Sequence, residues 1–268
     1  MLLLAFVALW MGLDAAAELK LPQLWQTDLE SFYSQRYFQE EHGGYSNSYT
    51  GEELLYFDLE ARVARHIAEN LDVRKSLLDL GCGEAFFAAE FHRAQWKVQC
   101  YDFSNAGIQR CNPQLLGFFQ QGNLKDVGKL DWGQDVGLIN LSNVLEHVVD
   151  PIEILTNIRR NLEGSRTILR IVVPNDYSKF QSYLTERGMT GNTWFLPPEH
   201  LSYFNRTSLL ELLSHCGFNV LSFQANFPIE IFLANSHSNY VKNRELGKGA
   251  HSARVAIQNF LISTDIDG

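Results

Sequence analysis

The stretch Leu77-Leu78-Asp79-Leu80-Gly81-Cys82-Gly83-Glu84-Ala85 decides the fold of this chain. A short apolar run ends in a turn with two glycines one residue apart, and an alternating Phe/Ala segment follows from Phe86 to Phe91. This order predicts a buried strand, a tight loop and a helix that packs back on the strand. Glycines let a backbone approach a ligand closely, and open α/β sheets bind ligands at the carboxyl ends of their strands. The loop is therefore predicted to bind a cofactor.

The charges around this loop separate two kinds of cofactor. A dinucleotide-binding turn follows the pattern Gly-x-Gly-x-x-Gly, but Phe86 stands at the third glycine position. Asp79 and Glu84 flank the loop, and the loop itself contains no Lys or Arg, so a pyrophosphate would be repelled. A ligand with an ammonium group and a positive sulfonium, such as S-adenosylmethionine (SAM), suits these carboxylates. A nicotinamide dinucleotide remains the alternative.

Polar residues also end the strands predicted further along the chain. Residues 97–101 alternate and end at Asp102, whose carboxylate can accept hydrogen bonds from both ribose hydroxyls of an adenosine. Alternatively, Asp102 caps a helix over residues 104–110. The strand predicted over residues 118–123 closes with polar residues where an adenine edge could lie, and residues 135–141 form a further strand.

Taken together, the motifs resemble those of class I SAM-dependent methyltransferases of the small-molecule type. They are Asp79-Leu80-Gly81-Cys82-Gly83, Asp102, Gly122-Asn123, Asn143-Val144-Leu145-Glu146-His147-Val148 and Pro197-Pro198-Glu199-His200-Leu201-Ser202-Tyr203-Phe204. The resemblance runs from about Leu54 to Phe223. It implies a Rossmann-like α/β fold whose seven-stranded, mostly parallel sheet has helices on both faces and an antiparallel last strand.

The same resemblance implies SAM as the cofactor and assigns residues to it. The implied cofactor contacts are Asp79, Gly81, Cys82, Gly83, Asp102, Phe103, Gly122, Asn123, Leu124, Ser142 and Asn143. Two positions depart from the usual pattern, since Ala85 replaces a frequent third glycine and Asn123 replaces a more usual Asp.

Two histidines are predicted to act on the acceptor, because histidine titrates near neutrality and an oxygen nucleophile often needs its proton removed. His147 follows a strand end near the cofactor, and His200 lies in a Pro-Pro-Glu-His turn. The alternative for each is a structural hydrogen bond. No metal is expected at Glu146-His147 with Glu199-His200, because adjacent residues at a strand end point apart.

Three segments are predicted: residues 1–50, a SAM-binding domain over 51–234 with an insertion at about 175–200, and a tail over 235–268 whose role the sequence does not indicate. The apolar start, Met1–Leu13, is predicted to be a packed or partner-binding helix, since no Lys or Arg precedes it as in a targeting segment. The aromatic segment that follows is either a lid over the active site or a surface strap. Predicted substrate contacts are Tyr33, Tyr37, His42, Tyr45, Glu199 and Tyr203.

Two local patterns make sharper predictions. Leu55, Leu59, Val63 and Ile67 recur every four residues and predict the apolar face of an amphipathic helix. Asp150-Pro151-Ile152-Glu153 predicts a helix start, with Asp at the N-cap and Pro in the first turn.

Composition limits the classes of partner. The 268 residues carry a formal net charge of −9, which argues against nonspecific binding to nucleic acid. The four cysteines form no C-x-x-C pair and fit the reduced thiols of a cytoplasmic protein. The sequence thus predicts a cytoplasmic enzyme, possibly a homodimer, with no membrane partner. It would methylate a small molecule, with oxygen or nitrogen favoured and carbon possible. The alternatives are an NAD-linked oxidoreductase and a catalytically silent SAM-binding or partner-binding subunit.

Overall fold

A parallel sheet forms the centre of the computed structural model, which describes residues 2–6, 48–130, 135–162, 165–195 and 200–267. Its strands are β1 Leu2–Phe6, β2 Ser76–Leu80, β3 Lys97–Asp102, β4 Phe119–Gln121, β5 Leu138–Ser142, β6 Ile168–Val172 and β7 Asn219–Gln224. The order across the sheet is β4-β3-β2-β5-β6-β1-β7, and every neighbouring pair is parallel. The predicted α/β class with a mostly parallel sheet is confirmed.

The predicted strand count and antiparallel last strand are wrong for the region that carries the motifs. That region contributes five adjacent parallel strands, in the order β4-β3-β2-β5-β6. It also contributes β7, which is separated from them by β1 and is parallel as well. After Gln224 the chain turns into a 3-10 helix, Ile229–Ala234, so among the described residues it does not return beside β7 as an antiparallel strand.

Between β6 and β7 the sheet contains β1, which belongs to the apolar start of the chain. Leu2–Phe6 pairs in parallel with both neighbours, so the helix predicted over Met1–Leu13 is wrong for these five residues. A short continuous apolar run has no period that distinguishes a helix from a buried strand. Residues 7–13 lie outside the described part of the chain.

Helices flank this sheet and connect its strands. They are α1 Gly51–Asn70, α2 Phe86–Arg93, α3 Ala106–Cys111, α4 Pro151–Asn161, α5 Lys179–Glu186, α6 Arg206–His215 and α7 Gly247–Asp267. Asp150 caps α4 as predicted, because its Oδ1 accepts a hydrogen bond from the Glu153 backbone N–H at 2.8 Å. No helix within the described ranges has the length and hydropathy that crossing a membrane requires.

Helix α1 forms where predicted, but it buries a different face. Leu59 is buried as expected, whereas Leu55 is exposed, and the other buried side chains are Ala61, Ala64 and Ala68. Alanines let neighbouring helices approach closely, and α1 packs against both α2 and α7. The leucine pattern therefore predicted the helix correctly, but it did not predict which residues of the helix are buried.

Candidate active site

The loop after β2 and the loop after β5 meet where the strand order reverses, the position at which open α/β sheets bind ligands. Gly81 and Gly83 both have positive φ, +72° and +53°. A Cβ atom built on Gly81 would lie 2.5 Å from Val144 Cγ2 of the second loop. The first loop is therefore shaped and placed by its glycines.

A buried polar network lies beneath this loop. Asp79 Oδ1 accepts a hydrogen bond from Asn140 Nδ2 at 2.7 Å, and Asn140 Oδ1 accepts one from Arg170 Nη1 at 2.8 Å. Arg170 also donates to Glu60 Oε2 at 2.8 Å. Asp79, Asn140 and Arg170 occupy matched positions on β2, β5 and β6. Sequence reasoning missed the last two, although a polar residue inside an otherwise apolar strand was a usable signal.

One oxygen of Asp79 is left without a partner. Asp79 is buried, and its Oδ2 has no hydrogen-bond partner among the described residues. Burial raises the pKa of this carboxyl to about 6, against a smaller opposing effect of the Asn140 hydrogen bond. The residue lines a cavity of about 550 Å³ together with the glycine loop. A cationic group of a ligand would satisfy this oxygen, and the ammonium and sulfonium of SAM fit that requirement.

We expect Asp79→Asn to stabilise the free protein above pH 6. A carboxyl whose pKa rises on folding contributes stability below its unfolded pKa and loses it as the pH rises through the folded value, here between about 4 and 6. A shift of about two units corresponds to about 3 kcal/mol, an upper bound for this change. Urea unfolding at pH 4.5 and 7.5 tests it, with Glu211→Gln, at an exposed position within α6, as the control. A variant less stable than wild type at pH 7.5 contradicts the expectation.

Glu84, the second acidic residue of the loop, is already neutralised. Its carboxylate forms an ion pair with Arg110 and accepts hydrogen bonds from Tyr49 and Cys111. Asn112 Nδ2 donates to the Glu84 backbone carbonyl at 2.7 Å. The loop itself contains no Lys or Arg to offset this charge. In the folded chain Arg110, from α3, lies beside Glu84 and offsets it. Of these two carboxylates, only that of Asp79 has an oxygen without a hydrogen-bond partner among the described residues.

Asp102 ends β3 beside the loop and is buried. Its Oδ2 accepts a hydrogen bond from the Gly83 backbone N–H at 2.9 Å, and its Oδ1 accepts one from Ser104 N–H at 3.2 Å. Burial raises its pKa, while these backbone hydrogen bonds act in the opposite direction. Helix α3 begins at Ala106, after Asn105 at its N-cap position, so Asp102 does not cap it. The ribose contact stays a prediction.

We expect Asp102→Ala to weaken SAM binding about ten-fold or more, because a hydrogen bond to a charged group contributes about 1.5–3 kcal/mol. Isothermal calorimetry measures the dissociation constant. Asp102→Asn is the matched comparison, since its amide oxygen can still accept from Gly83 N–H, while the carboxylate charge and the acceptor for Ser104 N–H are lost. An unchanged dissociation constant in the alanine variant would show that Asp102 only accepts hydrogen bonds from the glycine loop and does not bind the ribose.

The residues predicted to hold the adenine lie in a neighbouring cavity of about 620 Å³. Phe103, Asn123 and Leu124 line it, and His147 lines both this cavity and the one along the glycine loop. Asn123 Oδ1 accepts a hydrogen bond from Lys125 N–H at 3.0 Å, which caps the following 3-10 helix. The two cavities therefore meet at His147.

Of the remaining predicted cofactor residues, Cys82, Ser142 and Asn143 line the glycine-loop cavity, and Gly122 packs against a tyrosine. Cys82 lines the glycine-loop cavity, and the pKa of its thiol is raised by a hydrogen bond with Cys100 and by burial. Gly122 packs directly against the Tyr101 hydroxyl, so its lack of a side chain is needed for that contact. Ser142 and Asn143 line the glycine-loop cavity and also a third cavity of about 590 Å³.

The third cavity extends from the end of β6 over the Phe86–Phe87 start of α2. Charged and amide side chains line it, namely Glu60, Arg170, Asp176, Gln181, Glu230 and Arg254. Desolvation raises the pKa of Asp176 to about 7, and the nearby charge of Glu230 adds to this shift. Aromatic and aliphatic side chains, among them Phe57, Phe87 and Phe227, line the rest of it, so the cavity suits a small ligand that has polar groups on an apolar frame.

His147 and His200, the two histidines predicted to act on the acceptor, lie next to each other. Their ring centroids are 4.9 Å apart, and His147 Nε2 lies 3.7 Å from Glu146 Oε1. Glu146 is buried, which raises the pKa of its carboxyl to about 8. His200 Nδ1 lies 3.9 Å from Asp176 Oδ2, and burial lowers the pKa of this imidazole.

The predicted substrate contacts are mostly not tested by this structure. Tyr203 lies near the histidine pair, with its ring centroid 6.0 Å from that of His200, and it stacks on Phe195 at 5.7 Å. The other predicted contacts lie outside the described residues: Tyr33, Tyr37, His42, Tyr45 and Glu199.

The tail contributes a wall of the site that the sequence did not predict. His251, Arg254 and Val255 of α7 line the glycine-loop cavity. His251 Nε2 lies 2.8 Å from Glu53 Oε1, and Arg254 stacks over the Tyr56 ring at 5.3 Å. These contacts hold α7 on α1, so residues far apart in sequence enclose one cavity.

The fold and this site define an α/β enzyme with a cofactor cleft at its glycine loop. Residues 52–223 match the family model described as a methyltransferase domain, so the chain belongs to that family. It is a SAM-dependent methyltransferase, and its cofactor is S-adenosylmethionine. The NAD-linked alternative and the silent-subunit alternative are thereby wrong.

Among solved structures, the chain is similar to a SAM-dependent methyltransferase from Archaeoglobus fulgidus. The two are 20% identical with a TM-score of 0.43, and the match covers 63% of this chain and 70% of that one. It is also similar to an O-methyltransferase family protein from Burkholderia thailandensis, at 15% identity and a TM-score of 0.39, covering 61% and 53% of the two chains. A search of curated proteins found no match.

Proposed function

We propose that this enzyme methylates a small polar acceptor, with oxygen or nitrogen as the favoured atom and carbon as the further possibility. The observation that carries the proposal is the third cavity, of about 590 Å³, which shares walls with the glycine-loop cavity. A volume in this range is typical of small-molecule sites. Residues 51–234 would supply the catalytic domain, and α7 of the tail would close one side of it.

The cofactor supplies a methyl group on a positively charged sulfur. Asp79 would bind its ammonium group through the unpartnered Oδ2, and the positive-φ glycines Gly81 and Gly83 would allow close backbone approach. Asp102 would bind the ribose, with Phe103, Asn123 and Leu124 around the adenine. The position of each residue around the two cavities, which share His147 as a lining residue, supports these roles.

The acceptor would occupy the third cavity, whose side chains carry both signs of charge. Asp176 and Glu230 would bind hydroxyl or ammonium groups, and Arg254 would bind an anionic group. The net charge of −9 favours neither nucleic acid nor an anionic membrane surface as a partner. We place the enzyme in the cytoplasm, where its four reduced cysteines are stable, and propose a homodimer as a possible assembly.

His147 and His200 would receive the reacting group of the acceptor. They lie where the cofactor cavity approaches Asp176 of the acceptor cavity, so they can orient the nucleophile and take up its proton. Alignment of the reacting atoms is the principal contribution that such a site makes to a displacement reaction.

Incubation of the enzyme with methyl-labelled SAM and a metabolite extract tests the proposal. We expect the label in a product of low molecular mass, identified by mass spectrometry, and no labelled product with a Gly81→Val enzyme. Label recovered only in protein or nucleic acid would contradict the small-molecule acceptor. Absence of any transfer by an enzyme that binds SAM would count against the acceptor class screened.

A further inference from the structure

The side chains of Glu146, His147 and His200 form a cluster with the composition of a metal site. One ligand atom from each lies within 4.8 Å of the other two. Two histidines and one carboxylate are a ligand set that holds Zn²⁺ or another first-row divalent cation and leaves coordination positions open. Neither Mg²⁺ nor Ca²⁺ prefers such a nitrogen-rich set.

Glu146 of this cluster is buried, the two histidines are partly buried, and one atom each of Glu146 and His200 lacks a partner in the part of the chain that the structure describes. Glu146 Oε2 and His200 Nδ1 have no hydrogen-bond partner within the described parts of the chain, and the same holds for Asp176 Oδ2 beside His200. Glu146 is only 1% exposed. Leaving such atoms unpaired is costly. A cation bound by Glu146 would satisfy Oε2, and a His200 that binds it through Nε2 would direct its Nδ1–H toward Asp176 Oδ2, 3.9 Å away.

The backbone fixes the two parts of the cluster to each other. Glu146 and His147 lie in the 3-10 helix Leu145–His147, and the Glu146 carbonyl accepts hydrogen bonds from Leu201 N–H at 2.7 Å and Ser202 N–H at 3.1 Å. The loop that carries His200 is thus attached to the turn that carries the other two groups. This corrects the sequence argument that adjacent residues at a strand end point apart, because the pair lies in a turn.

The distances are close to those of a bound cation. Donors at about 2.0–2.1 Å from a tetrahedral zinc are roughly 3.3 Å apart. His147 Nε2 and Glu146 Oε1 are 3.7 Å apart and the whole set lies within 4.8 Å, so the ligand atoms would have to come closer by up to about 1.5 Å to bind one cation. Asp176 lies 3.9 Å from His200 Nδ1 and is placed to orient that ring, as carboxylates commonly do behind a metal-binding histidine.

We propose that Glu146, His147 and His200 bind one first-row divalent cation of the Zn²⁺ type, with Asp176 as a positioning residue. All three ligands line the glycine-loop cavity, so the open coordination positions face the space between cofactor and acceptor. A cation there would select acceptors with a hydroxyl or carboxylate oxygen. The histidines would then act on the acceptor as ligands of the cation, in place of the direct proton uptake proposed above. Only this last consequence rests on the proposed function; the binding of the cation does not.

The test uses the full-length protein, freed of metal by a chelator and titrated with Co²⁺ and Zn²⁺. We expect one Co²⁺ per chain at micromolar affinity, with visible absorption bands that Zn²⁺ abolishes. His147→Ala, His200→Ala and the near-isosteric Glu146→Gln each weaken binding by at least about 100-fold, and Asp176→Asn by about 10–100-fold. His66→Ala, an exposed histidine of α1, is the matched control and binds as wild type. Circular dichroism verifies folding.

Stoichiometric binding that survives all three ligand substitutions overturns the site, and so does the lack of Co²⁺ binding at 100 µM protein. If the alanine variants fail to fold, Glu146→Gln alone decides between these outcomes. SAM affinity and methylation are measured on the same samples. Metal binding without SAM binding would contradict the proposed function and support the metal site. SAM binding without metal binding would contradict the metal site and leave the proposed function supported.

Discussion

Gly81→Val abolishes SAM binding while the protein still folds: this is the first expected result. Gly81 has φ +72°, where a β-branched residue is strained, and its new Cβ would lie 2.5 Å from Val144 Cγ2. Val144 is buried, so the loop is the part that moves. A displaced loop loses its close approach to the cofactor. We expect the dissociation constant to rise by at least about 100-fold, equivalent to about 2.7 kcal/mol.

Gly188→Val is the matched control for this variant. Gly188 also has positive φ, +63°, but a Cβ there would meet no atom within 4 Å. Both variants carry similar backbone strain of about 1–3 kcal/mol, within the stability of an ordinary domain. Calorimetry should find wild-type SAM affinity only in Gly188→Val, and thermal unfolding should show both folded. Micromolar SAM binding by folded Gly81→Val would place the cofactor elsewhere.

The second large effect is on turnover. We expect His147→Ala to lower kcat by about 10²–10⁴-fold, the usual range for loss of a group that handles the proton of the nucleophile. SAM affinity should change much less, because the imidazole lies beside Glu146 and the His200 ring, whereas the cofactor's charged and ribose groups are assigned to Asp79 and Asp102. Steady-state rates and SAM calorimetry on one preparation separate the two effects.

The exposed His215→Ala, at the end of α6, controls for the loss of a histidine as such and should turn over as wild type. If His147→Ala loses SAM affinity together with rate, His147 positions the cofactor at the junction of its two cavities. Full activity in His147→Ala but not in His200→Ala would move the acceptor contact to His200. Full activity in the double variant would indicate an acceptor that needs alignment alone.

Family membership follows from ordered local motifs, and these are properties of the sequence. The glycine loop, the acidic end of β3 and the Glu146-His147 turn each have a local physical reason, such as positive φ or the end of a strand. Helix α4 was predicted for the same kind of reason, since Asp150 and Pro151 define its start without help from distant residues. Local geometry can be predicted because its causes lie within a few residues.

Predictions failed where the cause lay in a distant residue. Arg110 neutralises Glu84 from α3, and Arg170 approaches Asp79 only through Asn140 on the strand between them. The partner of β7 could not be predicted either, because parallel strands are paired by segments far apart in sequence. Local sequence patterns contain no information about such contacts.

The sequence by itself determined the α/β class, the glycine loop and the family of this methyltransferase. Only the tertiary structure decided that Glu146, His147 and His200 form one cluster, and that α7 lines the cavity. The glycine loop needs positive φ angles at Gly81 and Gly83, and the glycines themselves permit those angles. The cluster needs two segments more than fifty residues apart to meet, and packing of the whole chain fixes that distance.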